Sequence, residues 1–150
     1  MKTLAYLIFI FSFFANFCWS QVNDNIKSKI DTSKIAILPT EKYWGFKDLE
    51  AAKLSNDEIL FAEKLLSKSV KEYNKGKKYN QIDLKEYYRQ YFAAKNLKGE
   101  KLVYINCFCG NAAINWKEEI EDVDDGGKCF FQLRINLTKK SAEELDVNGP

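Results

Sequence analysis

Leu54-Ser55-Asn56-Asp57-Glu58-Ile59 carries a complete helix start. The Ser55 hydroxyl is placed to accept from the Glu58 amide, Glu58 to reach back to the Ser55 amide, and Leu54 to pack on Ile59. Two acids in the first turn suit the helix dipole. Apolar residues then recur at Ile59, Ala62, Leu66, Val70 and Tyr73, with Leu65 beside them. Spacing of three and four makes one stripe facing a core. Asn74-Lys75-Gly76 supplies residues that tolerate a left-handed stop. The pattern predicts a helix over 56–74.

Beyond that helix the period changes. Leu84 to Lys95 is rich in tyrosine and phenylalanine, residues that favour a pleated surface. Asn96-Leu97-Lys98-Gly99 reads as a turn and Lys101 to Cys109 as a second strand, with Val103, Ile105, Cys107 and Cys109 on one face. Lys128 to Leu137 repeats the alternation, with Cys129, Phe131, Leu133, Ile135 and Leu137 on one face. Thr138 to Ser141 turns the chain, and Leu145 with Val147 marks a last strand. The expected fold class is α+β, one long helix covering the aliphatic face of a four-strand antiparallel meander. Trp116 to Val123 has room for a further strand with Asp125-Gly126 as its hairpin turn, but a central strand there would separate the second strand from that of Cys129, so it is expected as a protruding arm or edge. Upstream, Ile35-Ala36-Ile37-Leu38-Pro39 reads as a short strand or strap stopped by proline, with Tyr43-Trp44-Gly45-Phe46 packing beneath it. The domain plan is therefore residues 1–20 as leader, 21–54 as tail and strap, and 55–150 as a single domain.

The leader fixes the expected compartment. Met1-Lys2-Thr3 is a short cationic start, Leu4 to Phe17 is almost unbroken apolar chain, and Cys18-Trp19-Ser20 puts small residues where a signal peptidase reads them. Cleavage before Gln21 gives a secreted or periplasmic protein without a membrane span, since the run is shorter than the ~20 residues that a spanning helix needs. A lipoprotein anchored through Cys18 is the lesser reading, because Phe17 stands where a small residue is wanted. The mature chain then has 22 basic and 21 acidic groups, one basic residue of the 23 leaving with the leader. So even a balance gives no reason to expect nucleic acid as a partner.

The chain has no histidine, which excludes Ser-His-Asp and Cys-His catalysis and histidine metal sites. After export three cysteines remain in an oxidising compartment, so one disulfide and one thiol are expected. Cys109 with Cys129 lies nearest the long Gly110–Gly127 connection, where ladder geometry constrains the pair least, and is the predicted bridge. Cys107 with Cys129 is the two-residue alternative. A Cys-x-Cys metal site lacks a fourth ligand, and no metal or other cofactor is implied. Asp122, Asp124 and Asp125 do not match an EF-hand loop and read more simply as a hairpin tip in water.

The second face of these strands carries Tyr104, Phe108, Phe130, Gln132, Arg134 and Asn136. Aromatics mixed with amides and an arginine have the composition of protein-binding surfaces, which makes Tyr104, Phe108, Phe130, Gln132 and Arg134 a candidate binding face. The competing reading is a partly solvated outer sheet face whose aromatics pack across strands.

Two resemblances bear on function. Tyr88-Arg89-Gln90-Tyr91, Asn106-Cys107-Phe108-Cys109, Asp125-Gly126-Gly127-Lys128-Cys129 and Val147-Asn148-Gly149 together resemble a group of small exported bacterial proteins, and that resemblance implies no activity. A helix ending Val70-Lys71-Glu72-Tyr73-Asn74-Lys75 and leading into a meander is similar to the cystatin-like arrangement. That similarity implies an inhibitor of a secreted protease or lysozyme. Of the cystatin Gln-x-Val-x-Gly loop, Gln90-Tyr91-Phe92-Ala93-Ala94 keeps the glutamine alone, and neither Trp44 nor Trp116 follows a proline. The expectation is a secreted, noncatalytic binding domain, with the cystatin-like inhibitor and a carboxylate-dependent hydrolase as alternatives.

Overall fold

The computed structural model describes residues 31–110 and 114–149. The leader, the Gln21 cleavage point, Cys18 and nearly all of the tail lie outside them. Thr32 onward belongs to one compact unit. Its only α-helix among the described residues, α1, runs Asn56–Asn74. The Ser55 N–H donates to Glu58 Oε2 at 2.8 Å, and the Glu58 N–H donates to the Ser55 hydroxyl at 3.3 Å. At the far end Asn74 brackets the returning chain. Its amide donates to the Ile82 carbonyl and its oxygen accepts from the Ile82 N–H, both at 2.8 Å. Ala62, Leu66 and Val70 are buried, as the stripe requires.

The sheet is larger than the sequence suggests and mixed in direction: seven strands rather than a four-strand antiparallel meander. They are β1 (Ile35–Ile37), β2 (Glu50–Ala51), β3 (Tyr87–Lys95), β4 (Lys101–Cys109), β5 (Phe130–Asn136), β6 (Ser141–Ala142) and β7 (Asp146–Val147). The long strands β3, β4 and β5 are antiparallel, with Tyr87 opposite Cys109 and Phe108 opposite Phe130. β1 lies parallel to β3 along its free edge, and β2 pairs antiparallel farther along the same strand. Between them Thr40 Oγ1 donates to the Ala93 carbonyl at 2.6 Å. The expected final strand is the short β7, and β6, which begins at the end of the expected turn, precedes it; the two share the free edge of β5. Short pieces of this kind satisfy the edges of long strands without offering a long row of unpaired groups.

Each face of the sheet has its own core. Toward α1, Val103, Ile105, Cys107, Phe131, Leu133 and Ile135 pack with Ala62, Leu66 and Val70. Glu63 also sits on this buried stripe. Its carboxylate lies 2.9 Å from Arg89 Nε and accepts from the Tyr91 phenol, so the charge is paired inside the core. A second core lies on the opposite face, where Ala36, Leu38, Tyr43 and Phe46 from the N-terminal strap meet Phe92, Ala94, Phe108 and Trp116. The unit from Thr32 onward is thus three layers: helix, sheet, and two non-helical straps. Burial of a ring such as Phe92 or Phe108 contributes roughly 1.5–3 kcal/mol, so the outer layer is a structural element in its own right.

Cys109 and Cys129 form a disulfide with their Cα atoms 4.9 Å apart, and Cys107 is a free, buried thiol. Both outcomes match the expected pairing: Cys109 stands opposite the chain entering β5, while Cys107 faces Phe131.

Candidate binding groove

The outer face begins with a row of side-chain amides. Gln90, Asn106 and Gln132 are in register across β3, β4 and β5. Asn106 Nδ2 donates to Gln90 Oε1 at 3.1 Å and to the Glu121 carbonyl at 2.7 Å. Gln90 Nε2 donates to the carbonyls of Trp116 and Glu119, and Gln90 Oε1 accepts from the Glu121 N–H. Gln132 Nε2 donates to Asn148 Oδ1 at 3.1 Å, and the Asn148 amide donates to the carbonyls of Val123 and Asp125. These four amides hold residues 116–125 flat against the sheet.

The expected protruding arm is therefore corrected. Residues 114–125 contain no strand, and Trp116 is buried against Tyr88 and Phe108. The physical reason is polar satisfaction: an irregular backbone over a core needs donors and acceptors from beneath it, and the amide row supplies them. Gly126 completes the fit. It has φ +95°, and a Cβ there would sit 2.6 Å from the Phe130 ring.

The candidate face divides accordingly. Phe108 is buried under Trp116, and Phe130 is half-buried beside Phe108 and under Gly126. Neither is a free surface. Tyr104 is half-buried, its ring stacked on Tyr43 with centroids 3.8 Å apart and planes 7° from parallel. Gln132 and Arg134 remain open. They form part of a groove of about 650 Å³ between the strap on one side and the chain of 143–148 on the other.

Trp44 stands at this groove, 73 % exposed, held by the turn that wraps Tyr43. Gly45 permits that turn, because a Cβ there would meet the Tyr43 ring at 2.6 Å. Arg134 Nη2 donates to the Tyr43 phenol at 3.4 Å, and its guanidinium lies 3.8 Å from Glu143. The bond to Tyr43 raises the Arg134 pKa, and Tyr43 and Glu143 add to it against partial burial. Burial, with Tyr43 next, pushes the Tyr104 phenol well up, so it stays protonated. Asp122, Asp124, Glu144 and Asp146 also line the groove. Among the described residues no group of three acids or thiols converges as a metal site, and no helix is long and apolar enough to cross a membrane.

Sequence reasoning missed Tyr43, Trp44, Asp122, Asp124 and Glu143 to Asp146 as groove residues. The Tyr43–Phe46 cluster was visible as aromatic chain, but nothing local says that it folds over β4. Gln90, the one residue matching the cystatin loop, is not on a loop at all: it is fully buried in mid-β3. No family model, no curated protein and no solved structure matches the chain.

Proposed function

We propose that the protein is an exported, noncatalytic binding domain whose recognition surface is the groove over β5. One observation carries this reading: a tryptophan left 73 % exposed at the rim of a groove, while Trp116 is packed into the outer core. Large, rigid, amphipathic rings are the side chains that binding surfaces concentrate, since they bury much area for little lost rotamer freedom. The groove is preformed, because its floor is sheet and its wall is the stacked Tyr43–Tyr104 pair. The disulfide supports an oxidising compartment. The chain has no histidine, and among the described residues the one deeply buried carboxylate, Glu63, is tied to Arg89; both support a noncatalytic role.

Affinity capture from the native surroundings tests the proposal when three baits are compared. A partner held by the wild-type protein should be lost with Trp44→Ala and kept with Tyr79→Ala, which removes an equally exposed ring elsewhere. Equal capture by all three baits overturns the groove as the recognition surface.

A further inference from the structure

We infer that the groove takes an extended, lysine- or arginine-bearing segment of a partner protein, with one cationic side chain over the Trp44 ring. This rests on the proposed reading of the groove as the recognition surface.

The outer face of β5 is open at Gln132 and Arg134, between the covered parts of that face, so a stretch of chain lying there would continue the outer layer. Charge then selects the occupant. Five carboxylates line the groove, on Asp122, Asp124, Glu143, Glu144 and Asp146, against the single guanidinium of Arg134. Arg134 is already matched by Glu143 and by the Tyr43 phenol. Among the described residues the other four carboxylates have no cationic partner, whereas Glu50, Glu58, Glu100 and Glu119 each have a lysine. The unpaired acids occupy both sides of the groove and do not converge on a point, which suits charges spaced along a chain and not a single ion. An exposed indole beside carboxylates is also the better aromatic host for a cation, since its face attracts an ammonium or guanidinium.

The test is a titration of the purified protein with a hexalysine peptide, following the Trp44 indole by NMR and fluorescence. Hexaglutamate, calcium and spermine are run in parallel. Hexalysine should shift the Trp44 indole and leave Trp116 still, and the affinity should fall with salt because exposed charges are screened. Asp122→Asn with Asp146→Asn should weaken it about tenfold, the loss of two groove contacts. Both changes lie at exposed side chains, and an unchanged urea midpoint shows that the variant is folded. Four outcomes overturn the inference: no shift at low salt, a shift equal in the double variant, calcium reproducing the shift, or spermine matching hexalysine. If a partner is captured through Trp44 while hexalysine leaves Trp44 unmoved, the inference falls and the groove stands. If Trp44→Ala has no effect on capture, the groove itself falls.

Discussion

Asn106 Nδ2 donates to Gln90 Oε1 at 3.1 Å across the β3–β4 pair, in the middle of a sheet face otherwise covered by aromatic rings. Two fully or nearly fully buried amides in such a place are costly unless every donor and acceptor is used. Here they are used by each other, by the Gln132 amide and by the backbone of residues 116–121. The same row explains motifs that otherwise look unrelated: Gln90, Asn106 and Asn148 each belong to a separate short motif, and all three bind the same strap.

Asn106→Leu should therefore cost about 2 kcal/mol, because the Glu121 carbonyl and Gln90 Oε1 lose a partner in a site closed to water. Urea unfolding measures the loss. Limited proteolysis should show cleavage concentrating after Lys117, in the released strap. A wild-type cleavage pattern would mean that the ring contacts of Trp116 alone hold the strap.

The helix offers two graded tests. Ser55→Ala removes the oxygen that accepts from the Glu58 N–H and should cost about 1 kcal/mol. Leu66→Ala empties a site with no exposure on the inner core and should cost roughly 2–5 kcal/mol. Urea midpoints should rank Leu66→Ala well below Ser55→Ala, and the reverse order would contradict the packing face.

The Glu63–Arg89 pair is predicted to behave as a buried pair, with asymmetric consequences. Arg89→Met leaves a carboxylate in the core without its cation and should cost about 3–5 kcal/mol. The double change Glu63→Met with Arg89→Met should recover most of that, since neither charge is then stranded. A double-mutant cycle decides it: additive losses would show that the two side chains are not coupled.

The thiols should separate cleanly by chemistry. Peptide mapping of unreduced, alkylated protein should find Cys109 joined to Cys129 and Cys107 alone. Burial pushes the Cys107 thiol pKa far up, so alkylation should require denaturant. Removing the bridge opens a 20-residue separation and should cost about 3 kcal/mol.

Acid should act through Glu100. The Lys139 ammonium at 2.9 Å and the amides of Asn96 and Asn136, each at 3.0 Å, hold its pKa down to about 2, against 4.5 for a free side chain. A carboxylate depressed in the folded state stabilises above the unfolded value, and that stability is lost as pH falls from 4.5 toward 2. Glu100→Gln should make the urea midpoint less sensitive to pH across that window. An unchanged acid slope would assign the sensitivity to other carboxylates.

The sequence by itself determined what depends on neighbours a few residues away. The capping box at Ser55 and Glu58, the 56–74 helix, the turn at Asn96–Gly99, and the parity that sends Val103, Ile105 and Cys107 to one face all rest on fixed local periods. Parity put Cys107, Cys109 and Cys129 on one face, and nearness to the long connection, not parity, pointed to Cys109 over Cys107. Tertiary structure alone decided what lies across the other face. Tyr43 and Tyr104 are 61 residues apart, and their stacking depends on the strap finding β4. Residues 116–125 carry no period, since their backbone is satisfied by amides from β3, β4 and the C-terminal segment instead of by a ladder of their own. Glu63 gives no local sign of burial either: a glutamate on the core stripe becomes stable there only because Arg89 and Tyr91, on a strand formed later in the chain, meet it inside.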